Sequence, residues 1–184
     1  MEKISTVNHY SKPIIVLHWL TLLLIIAVYS LMEFKGIFPK DSPGRDAMKN
    51  LHFMLGMTVF ALTWLWLIFR LVSKKPPIHP PLPMWQVKLS KLVHLSLYAV
   101  LIVLPFTGWL VVSAAGGHVS FWGFELPALL NQDKNLAGNI KEVHETIANI
   151  AYGLIGLHVM AALYHHYLGK DDTLRRMLPW KTSK

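Results

Sequence analysis

Ten histidines stand in a chain of 184 residues that contains no cysteine. Thiolate metal sites, iron–sulfur clusters, disulfides and cysteine nucleophiles are therefore excluded, and imidazole is left to carry any metal chemistry. The spacing of two histidines is specific. His144 and His158 are 14 residues apart. On a helix that separation turns about 1400°, about 40° short of four turns, so both rings share one face. Along the axis they stand about 21 Å apart. Such a pair suits two haems stacked along one helix. Zinc fits poorly, because two ions do not need that separation and the stretch from Thr146 to Gly169 offers no carboxylate.

A low-spin haem needs a second axial ligand, and depth can select it. His52 follows Asn50 closely, so it sits near the end of its helix, level with His144, and pairs with it. For the second haem the rivals are His18 and His94. His18 lies about 22 Å below Glu33, which sets it about 19 Å deeper than His52, near the required 21 Å. His94 lies about 33 Å below Gly116, for a gap of about 30 Å, which is too near the far surface. The depths favour His18, with His94 as its rival.

These residues need long apolar helices to position them, and four runs supply them. Pro13–Met32, Leu51–Phe69, Leu92–Gly117 and Thr146–Gly169 carry no charged side chain. Each is long enough to cross a bilayer, which takes about 20 apolar residues. The spans are expected over residues 13–32, 51–71, 92–115 and 143–168. Composition agrees: 53% of residues are hydrophobic, 15% are charged and the mean hydropathy is +0.40, whereas soluble domains carry about 25% charge. The first run is too long for a cleavable signal peptide, and no small-residue cleavage site stands out.

The formal charge of +8 reads as topology. With the N terminus in the cytoplasm, the inner segments hold Lys3, Lys12, Arg70, Lys74, Lys75, Lys88, Lys91, Lys170, Arg175, Arg176, Lys181 and Lys184. The outer loops hold half as many basic residues: Lys35, Lys40, Arg45, Lys49, Lys134 and Lys141. The positive-inside rule then places both termini in the cytoplasm, and no nucleic-acid partner is expected. Five prolines between Lys74 and Pro83 make a stiff inner connector. The outer stretch from Gly116 to Asn139 carries Phe121, Trp122, Phe124 and Leu126, apolar enough to cover the bundle mouth or lie at the membrane interface.

Other residues fall around the expected centres. Gly56, Gly153 and Gly156 would allow a flat macrocycle to approach the backbone; ordinary small-residue helix packing is the competing explanation. Lys49 and Lys141 each precede a candidate ligand by three residues, one turn nearer the outside, where they could hold propionates or attract an anion. His94, His165 and His166 are left over near the inner end. They could bond a haem propionate or line a quinone pocket, or they could simply cap helices at the interface.

Five segments in order carry a resemblance: "LHWL" around His18, "LHFMLG" around His52, "VHLSLY" around His94, "VHETIANIAYGLIGLHV" around His144 and His158, and the tail "HHYLGKDDTLRRMLP". This pattern resembles the bacterial cytochrome b561 family, which belongs with the cytochrome b subunits of nickel–iron hydrogenases. The resemblance covers nearly the whole chain. It implies an all-α integral membrane protein, one transmembrane cytochrome b domain over residues 1–184, built as a four-helix bundle holding two b-type haems in the inner membrane. It implies His18, His52, His144 and His158 as iron ligands, and electron exchange with quinone. Members are similar to superoxide oxidases, which take an electron from superoxide at the periplasmic face and pass it to ubiquinone. The alternative role is an electron-transfer or anchor subunit of a larger dehydrogenase or hydrogenase complex, with a periplasmic donor docking on the outer loop.

Overall fold

The computed structural model describes residues 9–179; Lys3, Lys181 and Lys184 of the charge tally lie outside them. Four long helices make up most of the described chain: α1 (Lys12–Glu33), α2 (Pro43–Val72), α3 (Met84–Ala114) and α4 (Lys134–Tyr167). All four are long and apolar enough to cross a membrane. A continuous helix satisfies its own backbone, which hydrocarbon cannot do for it. Large side chains such as Leu23, Ile26, Leu95 and Met160 stay exposed on the bundle's outside, as a lipid-facing surface requires.

Local chemistry sets the helix ends. Pro13 and Pro43 occupy first-turn positions, where a missing N–H costs nothing. Ser42 Oγ accepts from the Arg45 N–H, and Asp133 accepts from the N–H groups of Asn135 and Leu136. Helices α2 and α4 consequently begin well before their apolar runs, in polar turns that hydropathy alone does not mark. Helix α3 runs through Pro105 without a break. It stops at Gly116, whose φ of +82° is open to glycine at little cost.

The closest helix pairings are α1 with α2, α3 with α4, and α2 with α3. Beyond α3 the chain makes a small antiparallel hairpin, β1 (Val119–Phe121) and β2 (Phe124–Leu126). Its two-residue loop, Trp122 and Gly123, has positive φ at both positions, as tight hairpins prefer. The hairpin lies against α2: Val119 is buried, and Trp122 Nε1 donates to Thr58 Oγ1 at 3.1 Å. It therefore covers one mouth of the bundle, while Phe124 faces outward.

The opposite end is closed by the tail after α4. Tyr10 N–H donates to the Arg176 carbonyl, and Trp19 Nε1 donates to the Met177 carbonyl at 2.7 Å. The proline connector joins the same closure: Asp172 N–H donates to the His79 carbonyl, and His79 N–H donates to Asp172 Oδ1. Arg176 donates to the Pro76 carbonyl and sits 3.6 Å from Asp172 Oδ1, both side chains almost wholly buried. Removing one partner of a buried ion pair strands the other charge and costs about 3 kcal/mol or more. Asp172→Ala should therefore lower the thermal unfolding temperature and open the connector near His79 to limited proteolysis. An unchanged melting curve and cleavage pattern would show that the tail is not a structural clasp.

Candidate haem sites

At the hairpin end, His52 of α2 and His144 of α4 line one cavity with Gly56, Pro105, Gly108, Trp109 and Val119. His52 Nδ1 is 2.9 Å from the Val28 carbonyl of α1, an acceptor, so this nitrogen carries the proton and Nε2 is left free. His144 Nδ1 is 3.0 Å from Thr107 Oγ1. Because the Thr107 hydroxyl donates to the Leu104 carbonyl, its oxygen accepts from His144. His144 is thereby fixed in the same tautomer. Metal-bound imidazoles are held in this way, with the second nitrogen donating to a carbonyl or another acceptor.

Toward the tail end, His18 of α1, His94 of α3 and His158 of α4 come together. The His18 and His158 ring centres are 6.3 Å apart, and those of His94 and His158 are 5.3 Å apart. Two imidazoles bound on opposite sides of one metal, each at about 2 Å, have ring centres about 6 Å apart. His94 Nδ1 donates to the Ser90 carbonyl of its own helix at 2.5 Å. His18 Nδ1 is buried without a protein partner. Around these rings stand Trp19, Trp66 and Tyr98: Trp66 is 5.8 Å from His18 and 5.5 Å from Tyr98.

The remaining candidates are placed apart from these two groups. His165 pairs with Asp171 Oδ2 at 2.5 Å, within the tail closure. His166 Nδ1 is buried and unpartnered, and its ring packs edge-on against Tyr167. Lys49 and Lys141 stand at the hairpin end, each in an exposed ion pair, with Asp46 at 2.9 Å and with Glu145 at 3.3 Å.

The described residues fit a flat iron macrocycle at both levels. A Cβ added at Gly56, Gly153 or Gly156 would meet no atom within 4 Å, so all three positions leave room beside the helices. Gly108 is tighter: its Cβ would lie 3.4 Å from His144 Cε1, so a small residue here lets that ring lie close to α3. Thr107, Gly108, Trp66 and the Val28 carbonyl did not emerge from sequence reasoning. The Thr-Gly pair in an apolar span was a signal for the first two; a backbone carbonyl has none.

A family model described as prokaryotic cytochrome b561 matches residues 9–180. The chain belongs to the prokaryotic cytochrome b561 family. Cytochrome b561 homolog 1 of Escherichia coli (strain K12) is 41% identical over 172 residues, covering 94% of this chain and 98% of the relative. Probable superoxide oxidase CybB of Yersinia pestis is 37% identical over 173 residues, covering 94% and 97%. Cytochrome b561 homolog 2 of the same E. coli strain is 27% identical, covering 97% and 95%. Family membership implies b-type haem and transmembrane electron transfer, as the sequence resemblance anticipates.

Within this cytochrome b561 fold, Thr107 holds the His144 ring in one tautomer and would steady that ring's hold on a metal. Loss of such a support weakens metal holding by about 10- to 100-fold. Thr107→Val should therefore lower haem retention when purified protein is challenged with excess apomyoglobin, whereas Thr58→Val, which removes the hairpin contact and a bond to the Met54 carbonyl of its own helix, should not. Equal retention in wild type and Thr107→Val would remove this role.

Proposed function

We propose that this cytochrome b561 family member carries two b-type haems and passes single electrons across the bacterial inner membrane, from superoxide at the periplasmic face to ubiquinone. The observation that carries this reading is the pair of imidazole groups at two levels of the bundle, joined by α4 through His144 and His158. The proposed ligands are His52 with His144 for the outer haem and His18 with His158 for the inner one. The ring separation of 6.3 Å favours His18 over His94 as the partner of His158. The whole chain then acts as one cytochrome domain. The excess of basic residues at the tail end supports the placing of both termini in the cytoplasm.

Bound haem supplies the one-electron carrier. The protein's part is to hold each imidazole in one tautomer, exclude bulk water, and set the two irons on one helix. Donor access is proposed at the hairpin end, beside the cavity that His52 and His144 line with Trp109 and Val119. His94, His165 and His166 are the candidates for quinone or propionate contacts at the inner level. A second reading, docking to a protein donor or a larger complex, is favoured by one feature: Trp122 and Phe124 of the hairpin are 61% and 74% exposed.

Purified protein mixed with enzymatically generated superoxide separates the two readings. Haem reduction at a rate proportional to superoxide supports the first; reduction only by a protein partner supports the second. His52→Ala and His144→Ala should each lose the outer haem, and His18→Ala and His158→Ala the inner one, leaving about one haem per chain. His94→Ala should keep two; loss of the inner haem here, with retention in His18→Ala, would reverse the inner assignment.

Lys49 and Lys141 are proposed to attract the anion locally, within about 8–10 Å at ordinary ionic strength. Their carboxylate partners oppose this attraction. The double change Lys49→Gln with Lys141→Gln should therefore slow haem reduction by superoxide by less than about tenfold and flatten its salt dependence. Lys88→Gln, at the far end of the bundle, should change neither. Normal kinetics and salt dependence in the double variant would leave both lysines as interface anchors.

A further inference from the structure

Beyond α3 the chain does not leave the bundle but turns back along it. A Cβ at Gly108 would lie 3.4 Å from His144 Cε1, so Gly108 stands at the level of that ring. Gly116 is eight residues further on, about 12 Å nearer the helix ends. His52 lines the same cavity as His144, and Thr58 lies six residues past it, about 9 Å on the opposite side of that level. The Trp122 indole nevertheless reaches Thr58 Oγ1 at 3.1 Å. The drop from Gly116 to Thr58 is about 21 Å. Six extended residues reach about 20 Å, and the tryptophan side chain adds a little more. β1 therefore runs steeply down beside the helices, with the tip of the hairpin lowest. The returning chain is held too: Trp109 Nε1 donates to the Pro127 carbonyl at 3.1 Å, just after β2.

This descent carries the tip below the start of the hydrocarbon. The charge-free run of α2 begins at Leu51, and Thr58 lies about 10 Å inside it. Leu51 and Leu65 stand two turns to either side of Thr58, on one stripe of the helix. Both are exposed, at 39% and 41%. The stripe that receives Trp122 thus faces lipid above and below the contact. Trp122 and Phe124 are themselves bare, and they continue that lipid-facing surface.

Two features limit the depth. Glu125, opposite Ser120 in the ladder, is exposed, and a carboxylate is costly in the hydrocarbon centre. The tip's own backbone groups, at Trp122 and Gly123, lie outside the ladder and also need polar company. The Trp122 side chain spans part of the distance to Thr58, so the backbone tip stays higher, at the boundary between headgroups and acyl chains. Tryptophan favours that zone.

We propose that the hairpin is docked in the leaflet at its own end of the bundle, with Trp122 and Phe124 among the upper acyl chains and Glu125 at headgroup level. The occupant of this apolar face is lipid. In this seat the hairpin holds Val119, 2% exposed, against the cavity of His52 and His144 and closes that cavity from the side. It is then not the docking face that a protein donor would need. The inference does not depend on which histidines hold iron.

The chain has no cysteine, so a single introduced one reports a single place. Spin-labelled Phe124→Cys in nanodiscs should collide with oxygen in preference to a water-soluble nickel chelate, as labelled Ile26→Cys on the lipid face of α1 does. Its oxygen-to-nickel accessibility ratio should exceed that of labelled Lys134→Cys by about fivefold or more, because a polar chelate is kept out of hydrocarbon. A ratio equal to that at Lys134 would overturn the proposal and return the face to a water-borne partner. Protection from both reagents with dipolar broadening between labels would also overturn it, by assigning the face to a second copy. A measurement without a label guards against disturbance by the probe. Phospholipid brominated near the top of its acyl chains should quench a smaller share of the tryptophan fluorescence in Trp122→Phe than in wild type. An undiminished share would place Trp122 outside the lipid and overturn the proposal.

Discussion

A histidine placed at bilayer depth has two ring nitrogens to satisfy and no water to satisfy them. The bundle is arranged around that constraint. At the hairpin end, the Val28 carbonyl and Thr107 Oγ1 each take one nitrogen of an imidazole. The second nitrogen of each ring is then available to a metal, and the two rings arrive at one cavity from different helices. A polar group left unpaired in hydrocarbon is costly. Site occupancy and bundle stability are therefore linked: a metal that satisfied both free ring nitrogens would also join α2 to α4. The same logic reaches the tail-end group, where His18 keeps a buried nitrogen without a protein partner.

Much of the architecture is legible in the sequence because hydrocarbon imposes strict rules. Four charge-free runs become four helices, and the proline-rich stretch from Lys74 to Pro83 forms no helix. Legibility fails at the helix starts: α2 begins at Pro43 and α4 at Lys134, because Ser42 and Asp133 cap turns that hydropathy does not register. The hairpin is similarly hidden. Its strands are three residues each, and its loop places Trp122 at a φ of 50°, where glycine would be the usual residue.

At the site, helical periodicity is enough to place His144 and His158 on one face, since both lie on one rod. Depth arithmetic also brings His52 near His144, and it keeps His18 and His94 as competitors. The structure sharpens that competition, because both rings approach His158. Straight, untilted helices cannot account for this: α3 contains Pro105, and the position of His94 depends on how the helix leans. The supports, Val28 and Thr107, depend on which turns of α1 and α3 face the ligands, a matter of tertiary packing rather than spacing. Lys49 and Lys141 stand one turn from their histidines as counted, and the carboxylates that meet them, Asp46 and Glu145, come from their own helices and keep any attraction local.

The tail closure has a consequence for how the protein is made. The Tyr10 backbone and the Trp19 indole, from the first helix and its approach, are tied to Arg176 and Met177. The tail-end imidazoles likewise unite the first helix with the fourth. None of these contacts can exist while residue 177 is still inside the ribosome. The first three helices must therefore enter the membrane and wait, with His18 lacking His158. The tail-end group of imidazoles is therefore complete only once residue 177 has left the ribosome and the tail has closed over the first helix.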